Sequence, residues 1–300
     1  MRRSQISPLR YPGGKSALYP RLRKIIRDMD LTGCTYVEPY AGGAGVGLSL
    51  LVTGQVERVV VNDLDPAIHA FWVTVQSEPG WLIERIRKAT LDIPEWRRQR
   101  EIYAAADANN LTELGFATFY LNRTNRSGVL NGGPIGGLDQ TGNYKIDARF
   151  NREGLIERVR ILALYADNII PTSRDGIEII SEYAPKDDVF IYADPPYFEK
   201  AESLYRSSFS PEDHKNLSRT LNAAADRPWV LTYDNSPQVA TLYGDRRRRE
   251  FELHYSAHRV GKVTEVTVLS DALPEIEPGW PIKSPPDGEQ LSGIETLVPQ

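Results

Sequence analysis

The chain has a single cysteine, Cys34, in 300 residues. That excludes a disulfide framework and a thiolate metal cluster, and it suits a reducing compartment. Four histidines (His69, His214, His254 and His258) show no metal-ligand spacing, so no metal is expected. No apolar run approaches the roughly 18–20 residues that span a bilayer. The amino-terminal MRRSQISPLRYPGG has no apolar core either, so a cytoplasmic protein without membrane association is expected. Positive charge is scarce overall: 36 lysines and arginines face 40 acids, a net −4. The shortage is local, because residues 271–300 hold six acids and one lysine. Between Phe116 and Arg152, five bases face only two acids. Phosphate binding responds to local charge, so the global balance does not exclude a nucleic-acid partner.

What is present reads as an α/β enzyme. The length suits two average domains, or one α/β domain carrying an insertion. Thr35-Tyr-Val-Glu-Pro-Tyr reads as a short buried strand, followed by the small-residue loop Ala41–Gly45 and a helix from Val46 to Thr53. Arg58-Val-Val-Val-Asn-Asp is a second β-branched strand, and Pro66 to Val75 a second helix. Strand, glycine loop, helix, strand opens a doubly wound parallel sheet. From about Ser77 to Arg152 the rhythm breaks into helical stretches (Trp81–Ala89, Pro94–Ala106, Leu114–Leu121) and a loop rich in glycine and asparagine. The α/β pattern then resumes with helices at Leu155–Tyr165 and Ile177–Tyr183 and strands at 168–171, 188–193 and 228–233. Two last strands, Arg248–Tyr255 and Lys262–Leu269, suggest an antiparallel hairpin at the sheet edge. The expected division is a discontinuous catalytic domain (1–75 and 154–270), an inserted domain (76–153) and an acidic, proline-rich, poorly packed tail (271–300).

Three constellations carry chemistry. Asp194-Pro195-Pro196-Tyr197 directly follows the strand ending at Ala193. The prolines stiffen the turn, so that the Asp194 carboxylate and the Pro195 carbonyl point outward in fixed directions beside a flat ring. Two acceptors and an aromatic face suit a planar amine; the bland alternative is a Pro-Pro turn with a solvated aspartate. The second is Glu38-Pro-Tyr-Ala-Gly-Gly-Ala-Gly45, between a strand and a helix, with Asp63 standing 18 residues further on. Such a loop admits a ligand to backbone amides, and an acid at the next strand end can accept from ribose hydroxyls. Nucleotide, dinucleotide and adenosyl-methionine sites all use this device, and a tight packing turn would look the same. The third is Tyr11-Pro-Gly-Gly-Lys15, which can bring an ammonium and a ring onto a ligand carboxylate or sulfonium group; a surface turn is the alternative.

Together, and in this order, the three resemble the DNA adenine-N6 methyltransferases, in particular the Dam-like class, over roughly residues 8–75 and 155–270. The resemblance implies a Rossmann-like S-adenosyl-methionine-dependent methyltransferase sheet with an inserted, mainly helical target-recognition domain. It places Tyr11, Lys15, Glu38, Pro39, Ala41, Gly42, Gly43, Gly45 and Asp63 in the adenosyl-methionine site. Asp175, 19 residues before Asp194, is the implied contact to the cofactor's adenine, and Asp194 borders both cofactor and base. Thr232–Pro237 and Lys262-Val-Thr-Glu-Val266 resemble later strand motifs that shape the base pocket and close the sheet.

The implied reaction is methyl transfer to N6 of an adenine flipped out of double-stranded DNA, without a metal. Asp194, Pro195, Pro196 and Tyr197 form its catalytic core. Arg123, Asn125, Arg126, Asn131 and Lys145 are the DNA-contact candidates in the insertion. In place of the Phe-Asn-Val-Pro-Phe-Gly-like run of members that read GATC, this chain has Asn131-Gly-Gly-Pro-Ile-Gly-Gly137, so no recognition sequence is carried over. Methylation of cytosine N4 or of an RNA adenine, and an inactive DNA-binding relic, are the alternatives. A monomer is expected, with any cognate restriction endonuclease encoded elsewhere.

Overall fold

A computed structural model describes residues 6–10, 15–198, 209–255 and 261–275. Four short, apolar segments form a parallel core: β1 (Thr35–Glu38), β2 (Arg58–Asn62), β3 (Ile169–Thr172) and β4 (Val189–Ala193), extended by β5 (Trp229–Asp234). Burial runs along both faces of these strands, every residue of β4 and β5 being buried, as helices on both sides of a parallel sheet require. The hairpin β6 (Arg247–Tyr255) and β7 (Gly261–Leu269) completes seven strands in the order β3-β2-β1-β4-β5-β7-β6. β7 inserts antiparallel beside β5, and β6 forms the edge.

Helix boundaries follow local chemistry. α1 (Tyr19–Asp28) precedes β1, and α2 (Gly45–Val52) follows it. α3 (Pro66–Ser77) starts where the Asp65 carboxylate accepts from the Ala67 amide and Pro66 fills the first turn. The inserted stretch is helical: α4 (Pro79–Lys88), α5 (Ile93–Ala105) capped by Asp92, and α6 (Leu111–Thr124) capped by Asn110. α7 (Arg152–Ala163), α8 (Gly176–Tyr183), α9 (Pro211–Ala223) and α10 (Pro237–Leu242) alternate with the later strands.

The expected boundary at residues 75–76 falls inside α3, which runs on to Ser77. Moreover, α6 lies against α3. Phe71 and Phe119 stack with ring centres 6.1 Å apart, and a Cβ at Gly115 would stand 2.7 Å from the Ala70 carbonyl oxygen. The insertion therefore shares one core with the helices of the sheet. At the other end, Leu273 is buried and Arg247 donates to the carbonyls of Ser270, Leu273 and Pro274. Packing thus continues past residue 271, where the tail was expected to begin; residues 276–300 lie outside the described residues. Among the described residues no helix is long and apolar enough to cross a membrane.

Candidate active site

β1 and β4 are parallel neighbours, paired at Thr35–Val189, Tyr36–Phe190 and Val37–Ile191. β2 follows β1 on one side and β5 follows β4 on the other, so the strand order reverses between them. The crevice at the carboxyl ends of such a pair is where open α/β sheets bind ligands. From β1 it receives the loop 39–44, and from β4 the Asp194–Tyr197 turn.

The glycine loop is held by three polar side chains, the buried Glu38 and Asn62 and the half-buried Asp63. Glu38 accepts from the Gly47 amide at 2.9 Å, capping the start of α2. Burial pushes its carboxyl up to about 8, with repulsion from Asp194 adding to the rise and the Gly47 amide opposing it. Gly47 has no room for a side chain: a Cβ there would stand 2.9 Å from Val59 and 3.1 Å from the Glu38 carboxyl. Asp63 accepts from Gly42 at 2.9 Å and from Asp65 at 3.0 Å, and burial raises it to about 6 against those two bonds. Each Asp63 oxygen keeps a further lone pair beyond these bonds. Asn62, fully buried, donates to the carbonyls of Pro39 and Arg174 and accepts from the Arg174 amide, tying the loop after β1 to the loop after β3. Gly42 and Ala44 adopt left-handed backbone, both with φ of 46°, and the Trp72 indole holds the Gly42 carbonyl. Pro39, Ala41, Gly42 and Gly43 are buried beneath this turn, while Gly45 is half-buried with open space where a Cβ would stand.

The second half of the site is an ionic cluster. Asp194 Oδ1 accepts from the Thr232 hydroxyl at 2.7 Å and lies 3.1 Å from the Tyr197 hydroxyl oxygen. Its Oδ2 lies 3.2 Å from Lys15 Nζ. Lys15 also lies 3.3 Å from Glu265 Oε2, and the Tyr197 hydroxyl donates to that same oxygen at 2.9 Å. Two expectations are corrected here. Lys15 does not stand ready for a ligand carboxylate; it is buried and neutralised by two acids of the protein, because it is the cation that offsets them. Nor does Tyr197 present an open ring: it is 7% exposed, tilted against Tyr233 at 5.9 Å, with Lys15 Nζ 5.1 Å from its centre. Pro195 is buried and Pro196 half-buried. Asp194 itself remains partly open, its side chain 26% exposed.

Asp175 is exposed and caps α8, accepting from Ile177 at 2.7 Å. Next to it, Gly176 packs against the Tyr40 ring, which a side chain there would strike. Tyr11 lies outside the described residues. In the insertion, the structure overturns two DNA-contact candidates. Arg123 is buried with its guanidinium on the Pro8 carbonyl. Asn125, wholly buried, accepts from the Trp96 indole and donates to the carbonyls of Val129 and Leu130, building the turn that follows α6. Arg126, Asn131 and Lys145 are exposed on that loop. Arg152, counted among the local positive charges, is spent on the carbonyls of Arg87 and Ala89 at the end of α4.

Asn62 and Gly47 are site residues that the sequence reading left unassigned, while Thr232 and Glu265 lie within the two later strand motifs without having been singled out. Glu265 and Asn62 carried a signal: each is a polar residue set in a run of β-branched strand residues. Among the described residues no group of histidine, cysteine and acidic side chains is placed to hold a metal ion.

A mostly parallel seven-stranded sheet closed by an antiparallel hairpin, with a glycine loop and an Asp-Pro-Pro-Tyr turn at its switch point, defines a Rossmann-like methyltransferase. The family of D12 class N6 adenine-specific DNA methyltransferases matches residues 11–263, and the chain belongs to that family. Type II methyltransferase M.MjaIII of Methanocaldococcus jannaschii is 26% identical over 251 residues, which are 77% of this chain and 84% of that protein. Type II methyltransferase M.CviBI of Paramecium bursaria Chlorella virus NC1A is 22% identical over 267 residues, 87% of this chain and 96% of that protein. The solved rRNA methyltransferase aviRa from Streptomyces viridochromogenes aligns over 83% of this chain and 84% of its own at 14% identity. The TM-score of that alignment is 0.32.

Proposed function

We propose that this DNA methyltransferase transfers a methyl group from S-adenosyl-methionine to N6 of an adenine flipped out of the duplex into the pocket beside Asp194. The carrying observation is the meeting of the Asp194 turn and the Glu38–Gly45 loop at the carboxyl ends of two paired parallel strands. The residues present fit the methyl donor. Open space over Gly45 lies at the start of α2, Asp63 and Asp175 stand after β2 and β3, and the Asp194 carboxylate remains partly open after β4. When bound, S-adenosyl-methionine supplies an electrophilic methyl carbon.

The chain's own residues do the rest. Asp63 holds the turn at Gly42 and offers its remaining lone pairs to ribose hydroxyls, while Asp175 borders the adenine of the donor. Asp194 and the Pro195 carbonyl accept the two N–H bonds of the target amine, which turns its lone pair toward the methyl carbon and stabilises the positive charge that grows on nitrogen. Thr232 fixes the orientation of the Asp194 carboxylate. The methylated nitrogen is acidic enough to lose its proton without a dedicated strong base.

Residues 76–153 form the target-recognition element in this reading, with Arg126, Asn131 and Lys145 toward DNA. The Type II names of the two relatives fit a partnership with a restriction endonuclease encoded elsewhere. Nucleoside mass spectrometry of DNA from cells expressing the wild type and Asp194→Ala tests the assignment. N6-methyladenine formed by the wild type alone supports it; N4-methylcytosine, or equal product from both, overturns it.

A further inference from the structure

We propose that Glu265 is a positioning residue for methyl transfer, its buried carboxylate drawing the Tyr197 hydroxyl and the Lys15 ammonium away from the lone pairs with which Asp194 holds the target amine. The proposal rests on the reading of Asp194 as acceptor of that amine.

Glu265 sits in the interior of the sheet. Along β7 it stands opposite Asp234 of β5 and Phe251 of β6, and its side chain is fully buried. Its chain neighbour Val266 belongs to the hydrophobic core. A carboxylate in such a place loses its hydration, a penalty that only close partners offset. Glutamine would fill almost the same volume without that penalty. What the charge adds is visible in the distances. Lys15 Nζ is 3.3 Å from Glu265 Oε2 and 3.2 Å from Asp194 Oδ2, so the ammonium is divided between two acids. The Tyr197 hydroxyl is likewise placed between Glu265 Oε2 at 2.9 Å and Asp194 Oδ1 at 3.1 Å.

A phenol has one proton to donate, and the shorter contact directs it to Glu265. Asp194 Oδ1 then keeps Thr232 as its main donor, at 2.7 Å. With Glu265 neutral, the hydroxyl would turn to Asp194 and the ammonium would pair with Asp194 alone. Both would compete with the amine for the same oxygens and withdraw the electron density that supports the growing charge on N6. Glu265 touches neither base nor donor in this account; it acts through Tyr197 and Lys15.

The test compares Glu265→Gln with Glu265→Asp in the full chain, each checked for its thermal midpoint. Steady-state methylation, equilibrium binding of S-adenosyl-methionine and of duplex DNA, and chemical labelling of Lys15 in the ligand-free protein are then measured. Glu265→Gln is expected to lower kcat tenfold or more while both dissociation constants stay within threefold. Lys15 should label faster, because its ammonium loses one of the two carboxylates that hold it. Glu265→Asp, which keeps the charge on a shorter arm, should turn over faster than Glu265→Gln. A packing role predicts the opposite order, since glutamine matches the volume of glutamate. Wild-type kcat in Glu265→Gln, or glutamine outperforming aspartate, overturns the proposal. If Glu265→Gln does not fold, Glu265→Asp decides: Lys15 labelling near the wild-type rate supports the pairing, and labelling at the rate of an exposed lysine refutes it. Asp194→Ala is run alongside. Activity in that variant would sink the reading of Asp194 itself, whereas an inactive Asp194→Ala beside a fully active Glu265→Gln would sink only the role of Glu265.

Discussion

Arg123, at the end of α6, places its guanidinium on the carbonyl of Pro8, 115 residues earlier in the chain, with Nε donating at 2.7 Å and Nη2 donating to the same oxygen. Asn122 brackets Arg10 from both sides, accepting from its amide and donating to its carbonyl, and Arg158 donates to the Ser7 carbonyl. The inserted helix therefore straps down residues 7–10, the segment that leads toward Lys15. Burial, reinforced by the nearby charges of Arg158 and Arg10, draws the Arg123 guanidinium down to about 9.

Arg123→Ala is accordingly expected to act on stability. Losing hydrogen bonds from a charged donor costs about 1.5–3 kcal/mol, readable in urea unfolding. The slope of log affinity for DNA against log salt should stay as in the wild type. A slope reduced by about one, with unchanged stability, would restore Arg123 as a phosphate contact.

The exposed Arg126 should behave in the opposite way. Arg126→Ala should leave stability within about 0.5 kcal/mol and cut the salt slope by about one if it meets a phosphate. If it reads a base edge instead, discrimination at one base pair should relax by about 1–3 kcal/mol. Unchanged affinity, slope and sequence preference would place recognition elsewhere.

Asp194→Asn keeps the shape of the side chain but loses the charge that faces Lys15 and the growing charge on N6. Removing a preorganised electrostatic partner of this kind costs about 100- to 1,000-fold in kcat. Filter-bound methyl incorporation on duplex DNA measures it; a loss under about tenfold would argue against the role.

Glu38 links pH to stability. Its carboxyl rises from 4.5 to about 8 on folding, so between those values the folded chain binds more protons than the unfolded one. Stability from this group is present below the lower value and is lost as pH climbs through the upper one. The decline approaches about 1.4 kcal/mol per pH unit within the window. Glu38→Gln can still accept from Gly47 and should flatten the profile between those limits. Urea titrations across the range decide it; a variant that keeps the wild-type slope would point to another group.

Gly47→Ala tests the seat of the glycine loop. The new Cβ would stand 3.0 Å from the Tyr36 ring and 2.9 Å from Val59, with fully buried neighbours that have little room to yield. Overpacking of this kind costs about 1–3 kcal/mol. The thermal midpoint should fall, and S-adenosyl-methionine affinity with it as Glu38 is displaced. Wild-type values for both would show that the loop tolerates a methyl group.

Much of this was legible without coordinates. Val59, Val60 and Val61 announce a strand buried on both faces, Asp65-Pro66 announces a capped helix, and two prolines after Asp194 announce a strand end, because each is a short-range steric or hydrogen-bonding preference. The order of the Lys15, Glu38–Gly45 and Asp194–Tyr197 motifs likewise carried the resemblance to the family that residues 11–263 match. Burial of charged residues could not be read in this way. Arg123 and Arg126 stand three apart in one polar run, yet one is buried and the other exposed. What separates them is a carbonyl supplied by Pro8 from the far end of the chain.

The sequence by itself thus determined the element types, the sheet class and the place of the Asp194–Tyr197 turn at a strand end, since these follow from periodicity, capping and backbone constraints acting over a few residues. Only the tertiary structure decided which charges meet. Lys15, Asp194, Tyr197 and Glu265 come from an amino-terminal segment, the β4 turn and a strand of the closing hairpin, and they converge within 3.3 Å of one another's polar atoms along the contacts described. The roles of Lys15 and Glu265 depend on that convergence, because Coulomb and hydrogen-bond energies are set by distance and burial in space, and neither is encoded in the spacing of residues along the chain.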